Sequence, residues 1–128
     1  MKMTASTRLV GGVTIVDLYG RIVLGEGSVG VRDLVRNLIK GGNKKILLNL
    51  RDVDYIDSSG LGELVSAFTS VRSQGGELKL LNLTKRVRAL LQITKLLTVF
   101  DITDDEAISV KSFSPAVWPP SLPAPIMG

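Results

Sequence analysis

Ile46-Leu47-Leu48-Asn49-Leu50, followed after Arg51 to Ile56 by Asp57-Ser58-Ser59-Gly60-Leu61-Gly62, is the stretch from which the architecture can be read. A nearly continuous aliphatic run of that length fits a central strand covered by protein on both faces. From Leu61 the period changes. Leu61, Leu64, Val65, Phe68 and Val71 recur at spacings of 3, 1, 3 and 3, one apolar stripe of a helix. The Asp-Ser-Ser-Gly segment therefore stands where a sheet hands over to a helix N-terminus. Unpaired backbone N–H groups at such a corner attract negative charge and accommodate a phosphate.

The same alternation extends outward in both directions. Upstream, Leu9-Val10, Gly11-Gly12 and Val13 to Tyr19 read as a β-hairpin around a Gly-Gly turn. A glycine-rich loop from Gly20 to Gly30 leads to a helix carrying Val31, Leu34, Val35, Leu38 and Ile39, stopped by Gly41-Gly42. Downstream, Gly75-Gly76 ends the second helix and Leu78 to Leu83 forms another strand. Thr84 is placed to cap a third helix with Val87, Leu90 and Leu91 inward. A short strand is expected around Val99-Phe100. Thr103 to Glu106 has capping-box spacing for a last helix that turns Ala107, Ile108 and Val110 inward. After the hairpin, this order requires right-handed crossovers and a mostly parallel sheet, so the fold class is α/β.

Length allows one core: 128 residues suit a single domain, here residues 1–111, followed by a tail over 112–128. All five prolines fall in that tail, at 115, 119, 120, 123 and 125, with the single tryptophan, Trp118. Such proline density favours extended polyproline II. A flexible tail is the bland expectation; the competing hypothesis is that Trp118 docks on the domain or on a neighbouring molecule.

Composition removes most enzymology. With neither cysteine nor histidine, thiolate chemistry, Ser-His-Asp triads and most zinc sites are excluded. No catalytic residue, metal or cofactor is expected, and the chain reads as a non-enzyme. The net charge of +4 comes from lysines and arginines scattered over several segments. That pattern describes solvated faces rather than a direct nucleic-acid surface. No apolar run reaches the roughly 18 residues of a membrane span, and no signal-peptide pattern opens the chain, so a cytoplasmic protein is expected.

Four readings of the serine corner compete. Gly60-x-Gly62 lacks the spacing of a dinucleotide or phosphate loop, so as a nucleotide motif it is weak. A nucleophilic serine would need an activating base, and none is present. The bland reading makes Ser58 or Ser59 the N-cap, worth roughly 0.5–2 kcal/mol. One hydroxyl suffices for capping, so the second serine and the two glycines are left over. The fourth reading is a docking patch that a kinase modifies, with Gly60 and Gly62 lowering the bulk around the hydroxyls. A phosphate adds about −1.5 to −2 charge, which the helix terminus tolerates, favouring it by about 0.3–1 kcal/mol. Its penalty would fall on the complex, where a dianion must be desolvated against the partner.

At these residues the chain resembles the anti-sigma factor antagonists of bacteria, whose STAS domain is shared with sulfate transporters. The resemblance rests on Asn49-Leu50, Val53, Tyr55-Ile56-Asp57-Ser58-Ser59-Gly60-Leu61-Gly62, Gly75-Gly76-Glu77-Leu78 and Gly20-Arg21-Ile22, and covers about residues 8 to 111. It implies a four- to five-stranded sheet with helices mainly on one side. It further implies an unmodified form that binds an anti-sigma factor, a serine kinase of histidine-kinase-like ATPase fold, and so frees a sigma factor. By the same resemblance, phosphorylation of Ser58 switches binding off and a metal-dependent phosphatase of the protein phosphatase 2C type restores it. Asp57, Ser58, Ser59, Gly60, Leu61 and Gly62 would form the partner surface. Physical reasoning accepts either serine as the phosphate acceptor, and only the resemblance selects Ser58. A stressosome-like scaffold and a cytoplasmic STAS subunit of a transporter are the alternatives, and homodimerisation stays open. The glycine-rich loop from Arg21 to Gly30 and the proline-rich tail depart from the family pattern.

Overall fold

The computed structural model describes residues 3–23 and 28–113, with residues 28 and 29 as backbone alone. Trp118 and the rest of the tail beyond Phe113, with the hypothesised docking of that tryptophan, lie outside the described residues. The hairpin pairs β1 (Thr4–Val10) antiparallel with β2 (Val13–Ile22). Its turn residues Gly11 and Gly12 both take positive φ, 56° and 82°, as a two-residue turn matching strand twist demands. Then come α1 (Ser28–Lys40), β3 (Lys45–Ile56), α2 (Ser58–Ser73), β4 (Glu77–Leu81), α3 (Lys85–Ile93), β5 (Ile102–Thr103) and α4 (Glu106–Ser112). The strands form one sheet in the order β1-β2-β3-β4-β5, parallel from β2 onward.

The Ile46–Leu50 run is the central strand, with Ile46, Leu47, Leu48 and Leu50 fully buried. One sheet face carries the main core, where Val31 and Val35 of α1, Leu61, Leu64, Ala67 and Val71 of α2, and Val87 and Leu91 of α3 pack against β2, β3 and β4. The opposite face is covered in part by the C-terminal end of the described chain, with Val110 and Phe113 over Val13, Ile15, Leu47 and Leu81. Both faces of β3 are thereby covered.

Three local expectations are corrected. First, β3 does not stop near Leu50 but continues to Ile56. Against β2 it carries an extra residue twice, because Asp17 and Tyr19 pair with Asn49 and Asp52, and Gly20 and Arg21 pair with Val53 and Tyr55. Each bulge turns the strand, so the inward residues Leu50, Val53 and Ile56 fall three apart and the two-residue alternation disappears. Second, the last strand is Ile102–Thr103 rather than Val99-Phe100. Phe100 goes to the core instead, edge-on to Phe68 with centroids 5.1 Å apart.

Third, α4 is capped by Asp105, whose Oδ1 accepts from the Ile108 amide at 2.9 Å, not by Thr103. Its inward residues are accordingly Ser109 and Val110, while Ala107 and Ile108 face solvent. Phe113 is buried on the sheet. The Lys79 ammonium fastens this end by donating to the Ser112 carbonyl at 3.0 Å and hydroxyl at 2.9 Å. The expected Thr84 cap is present, accepting from the Val87 amide at 3.3 Å.

Candidate functional site

The serine corner is built by the ends of two parallel neighbours. Ile22 and Ile56 are partners in the β2–β3 register, and the Asp57 amide donates to the Ile22 carbonyl at 3.4 Å, carrying the pairing one step further. The chain then turns into α2. Asp57 is the N-cap: its backbone is extended (φ −105°, ψ −177°), its Oδ1 accepts from the Gly60 amide at 2.7 Å, and its carbonyl accepts from Leu61 at 2.8 Å. Neither serine caps the helix, contrary to the expectation that one of them would. An ionised carboxylate does so more strongly, because its hydrogen bond is charge-assisted and its charge opposes the positive helix end.

Both serines are left free. Ser58 and Ser59 are exposed, and neither hydroxyl nor backbone amide has a hydrogen-bond partner among the described residues. No base touches either oxygen, so the corner presents two unactivated hydroxyls and two unpaired amides at the positive end of a 16-residue helix. Among the described residues no three or more His, Cys, Asp or Glu side chains gather as a metal site would require.

The six residues expected to form a partner surface divide by orientation. Ser58, Ser59 and Gly62 are exposed, and Asp57 is half-buried. Leu61 is in the core, so it positions the corner without reaching outward. Gly60 is buried, and a Cβ there would stand 1.9 Å from the Ile22 carbonyl oxygen. Its lack of a side chain serves the packing of β2 against α2, not an approaching protein. Gly62 has nothing within 4 Å of a built Cβ and keeps a bare outer surface. Glu63, expected to repel a phosphate, is turned toward α1, with Oε2 3.6 Å from Arg32 Nε.

A second cluster at the same strand ends was not anticipated. Arg21 at the end of β2 and Arg86 in the first turn of α3 both lie over the Tyr55 ring, their guanidinium carbons 4.9 and 5.8 Å from its centroid. With Asp54 they line an open cleft of about 610 Å³. No sequence signal brings 21, 55 and 86 together. The bulge pairs Arg21 with Tyr55, and the first turn of α3 brings Arg86 to the same ring.

A family model described as the STAS domain matches residues 4–108. The chain belongs to the STAS domain family. Among curated relatives, the anti-sigma-B factor antagonist of Bacillus subtilis is 40% identical over 88 residues, spanning 69% of this chain and 73% of that protein. The anti-sigma-B factor antagonist of Listeria monocytogenes is 41% identical over 59 residues, 46% of this chain and 52% of its own length. Of solved structures, an anti-sigma factor antagonist from Mycobacterium paratuberculosis superposes with a TM-score of 0.76 at 14% identity, covering 88% of this chain and 94% of its own. The unphosphorylated form of the anti-sigma factor antagonist SpoIIAA gives 0.65 at 21% identity, over 86% and 100%. These structural likenesses establish the STAS fold, which the described residues build from five strands and four helices. No described helix is long and apolar enough to cross a membrane.

Proposed function

We propose that this protein is an anti-sigma factor antagonist whose Ser58 hydroxyl is the switch. In its unmodified form it binds an anti-sigma factor with serine-kinase activity through the exposed start of α2, and that binding releases a sigma factor. Transfer of the ATP γ-phosphoryl group to the Ser58 oxygen, with ADP leaving and the hydroxyl proton lost, ends the association. A protein phosphatase 2C type enzyme restores the hydroxyl by hydrolysis. The observation that carries this reading is the Asp57 cap: because the acid closes the helix, Ser58 is exposed and has no structural duty.

The names of the relatives support the antagonist role. SpoIIAA, a structural neighbour, has been solved in a phosphorylated form as well as an unphosphorylated one. A phosphate at the α2 N-terminus meets unpaired amides and the helix dipole, so the domain stays folded. The partner interface, in contrast, must desolvate about −1.5 to −2 charge.

The test uses the anti-sigma kinase encoded nearest this gene, ATP and Mg²⁺. Intact mass should show one added phosphate, absent in Ser58→Ala. Ser58→Asp should weaken kinase binding by roughly a thousandfold, equivalent to ~4 kcal/mol. Phosphate appearing on Ser58→Ala, or a Ser58→Asp variant that binds as tightly as the parent, overturns the proposal.

A further inference from the structure

Arg8 is matched with Asp17 and Glu106, Arg32 with Glu63 and Arg88 with Asp104, whereas Arg36, Arg51 and Arg72 have no ion pair among the described residues. Arg21 and Arg86 have no ion pair among the described residues, yet both converge on one ring. Arg72 also lies over a ring, that of Phe68, but alone. Bringing two guanidiniums to one aromatic side chain costs mutual repulsion. A cation–π contact at an exposed site returns only a modest stabilisation. An arrangement of this kind gains most when an anion is added to it.

We infer that the Arg21–Tyr55–Arg86 cleft is a receptor for a carboxylate side chain on the protein that docks at the serine corner. The charge balance selects the chemistry. Two guanidiniums face one carboxylate, Asp54, which lines the same cleft without an ion pair to either. One further negative charge is what neutralises the set. A phosphate dianion would exceed it and be repelled by Asp54. Guanidinium forks match carboxylates bidentately and, being weakly hydrated, lose little on burial. The Tyr55 ring fixes both in advance, so little rotamer freedom remains to be lost on binding.

Position selects the occupant. Arg21 precedes Ile22, whose carbonyl packs on Gly60 and receives the Asp57 amide. Tyr55 lies three residues before Ser58. The cleft and the serine corner thus both stand at the ends of β2 and β3, and an acidic side chain on a protein that covers this end of the sheet would be held there. This part rests on the antagonist reading above; the carboxylate site itself does not.

The test has two arms on the full chain. In the first, the ¹⁵N-labelled protein is titrated with an end-blocked peptide carrying a single glutamate and, separately, with inorganic phosphate. The Nε–H resonances of Arg21 and Arg86 should shift saturably with the peptide. Phosphate should bind at least about tenfold more weakly, and an Arg21→Gln/Arg86→Gln variant should show no saturable shift. Peptide shifts that persist in that variant, shifts that never saturate, or tighter binding of phosphate would each overturn the carboxylate site.

In the second arm the same variant is measured against the anti-sigma kinase. Binding should fall at least tenfold, ~1.4 kcal/mol, with partial recovery in Arg21→Lys/Arg86→Lys. Unchanged affinity in the glutamine variant, while Ser58→Asp still abolishes binding, removes the cleft from the interface and leaves the switch standing. If neither substitution matters, the antagonist reading falls and the first arm alone decides whether the cleft is a carboxylate site.

Discussion

The Ile22 carbonyl oxygen lies 1.9 Å from where a β-carbon on Gly60 would stand, with the Ile22 carbonyl carbon at 2.8 Å. Both atoms are backbone in a paired strand, so the clash cannot be relieved by rotating a side chain. The end of β2 and the first turn of α2 are thus held at a separation that only glycine permits. The height of the serine corner above the sheet follows from it.

Gly60→Ala is therefore expected to destabilise the fold by about 1–3 kcal/mol or more, as overpacking of a tight interior does. Gly62→Ala, two residues on and facing open space, should stabilise it by up to about 1 kcal/mol through helix propensity. Urea midpoints of the two variants decide the matter. Equal destabilisation by both would mean that the helix start, rather than the Ile22 contact, disfavours alanine.

Asp57→Ala removes the acceptor for the Gly60 amide and should cost about 0.5–2 kcal/mol. Asp57→Asn and Asp57→Ser should retain most of the stability, since either can cap. Thermal melts of the three variants at one pH supply the comparison. An alanine variant as stable as the parent would show that another group caps α2.

Acid should loosen the β1 end of the sheet. Arg8 donates to Asp17 at 2.7 Å and reaches Glu106 of α4 at 3.0 Å, while Asn49 donates to Asp17 at 2.7 Å. Hydrogen bonding to Arg8 holds the Asp17 and Glu106 carboxyls below their ordinary range. Both folded pKa values are depressed, so the stabilisation is complete above the unfolded values of about 3.9 and 4.3. It is lost as pH falls through the lower folded values. Urea midpoints between pH 7 and pH 2.5 should drop for the parent and drop less for Arg8→Gln. Parallel curves would show that the network contributes nothing to acid stability.

The C-terminal packing can be dissected through Lys79. Its ammonium holds Ser112 and stands 4.9 Å from the Phe113 ring centroid. Lys79→Met should lose about 1.5–3 kcal/mol, the range for hydrogen bonds to a charged group. Phe113→Ala should lose about 3 kcal/mol or more by emptying the space over Leu47 and Leu81. Calorimetric unfolding should rank the two in that order.

Elements with a long, undisturbed period were readable from residues alone. Ile46 to Leu50 announced the central strand, and the stripes on α1, α2 and α3 fell on the core as spaced. The weaknesses have local causes. Two bulges hid the second half of β3, and a two-residue β5 is too short to show a period. In α4 the inward face went to Ser109 and Val110 because the cap is Asp105 rather than Thr103. At the candidate site, Asp57, Ser58 and Ser59 are all competent caps. Their sequence cannot say which one turns back toward the Gly60 amide.

By itself, then, the sequence determined a mostly parallel α/β sheet, a hydroxyl-bearing strand-to-helix corner and the absence of histidine or cysteine chemistry. Spacing and residue type are local properties, and these conclusions need nothing more. Tertiary structure decided that Asp57 closes the helix, that Gly60 yields to Ile22 while Gly62 stays bare, and that Arg21 and Arg86 share Tyr55. The approach of Gly60 to Ile22 and the pairing of Arg21 with Tyr55 depend on strand register and on bulges that shift it by a single residue. Register is fixed by packing across the whole sheet, which no short stretch of chain contains.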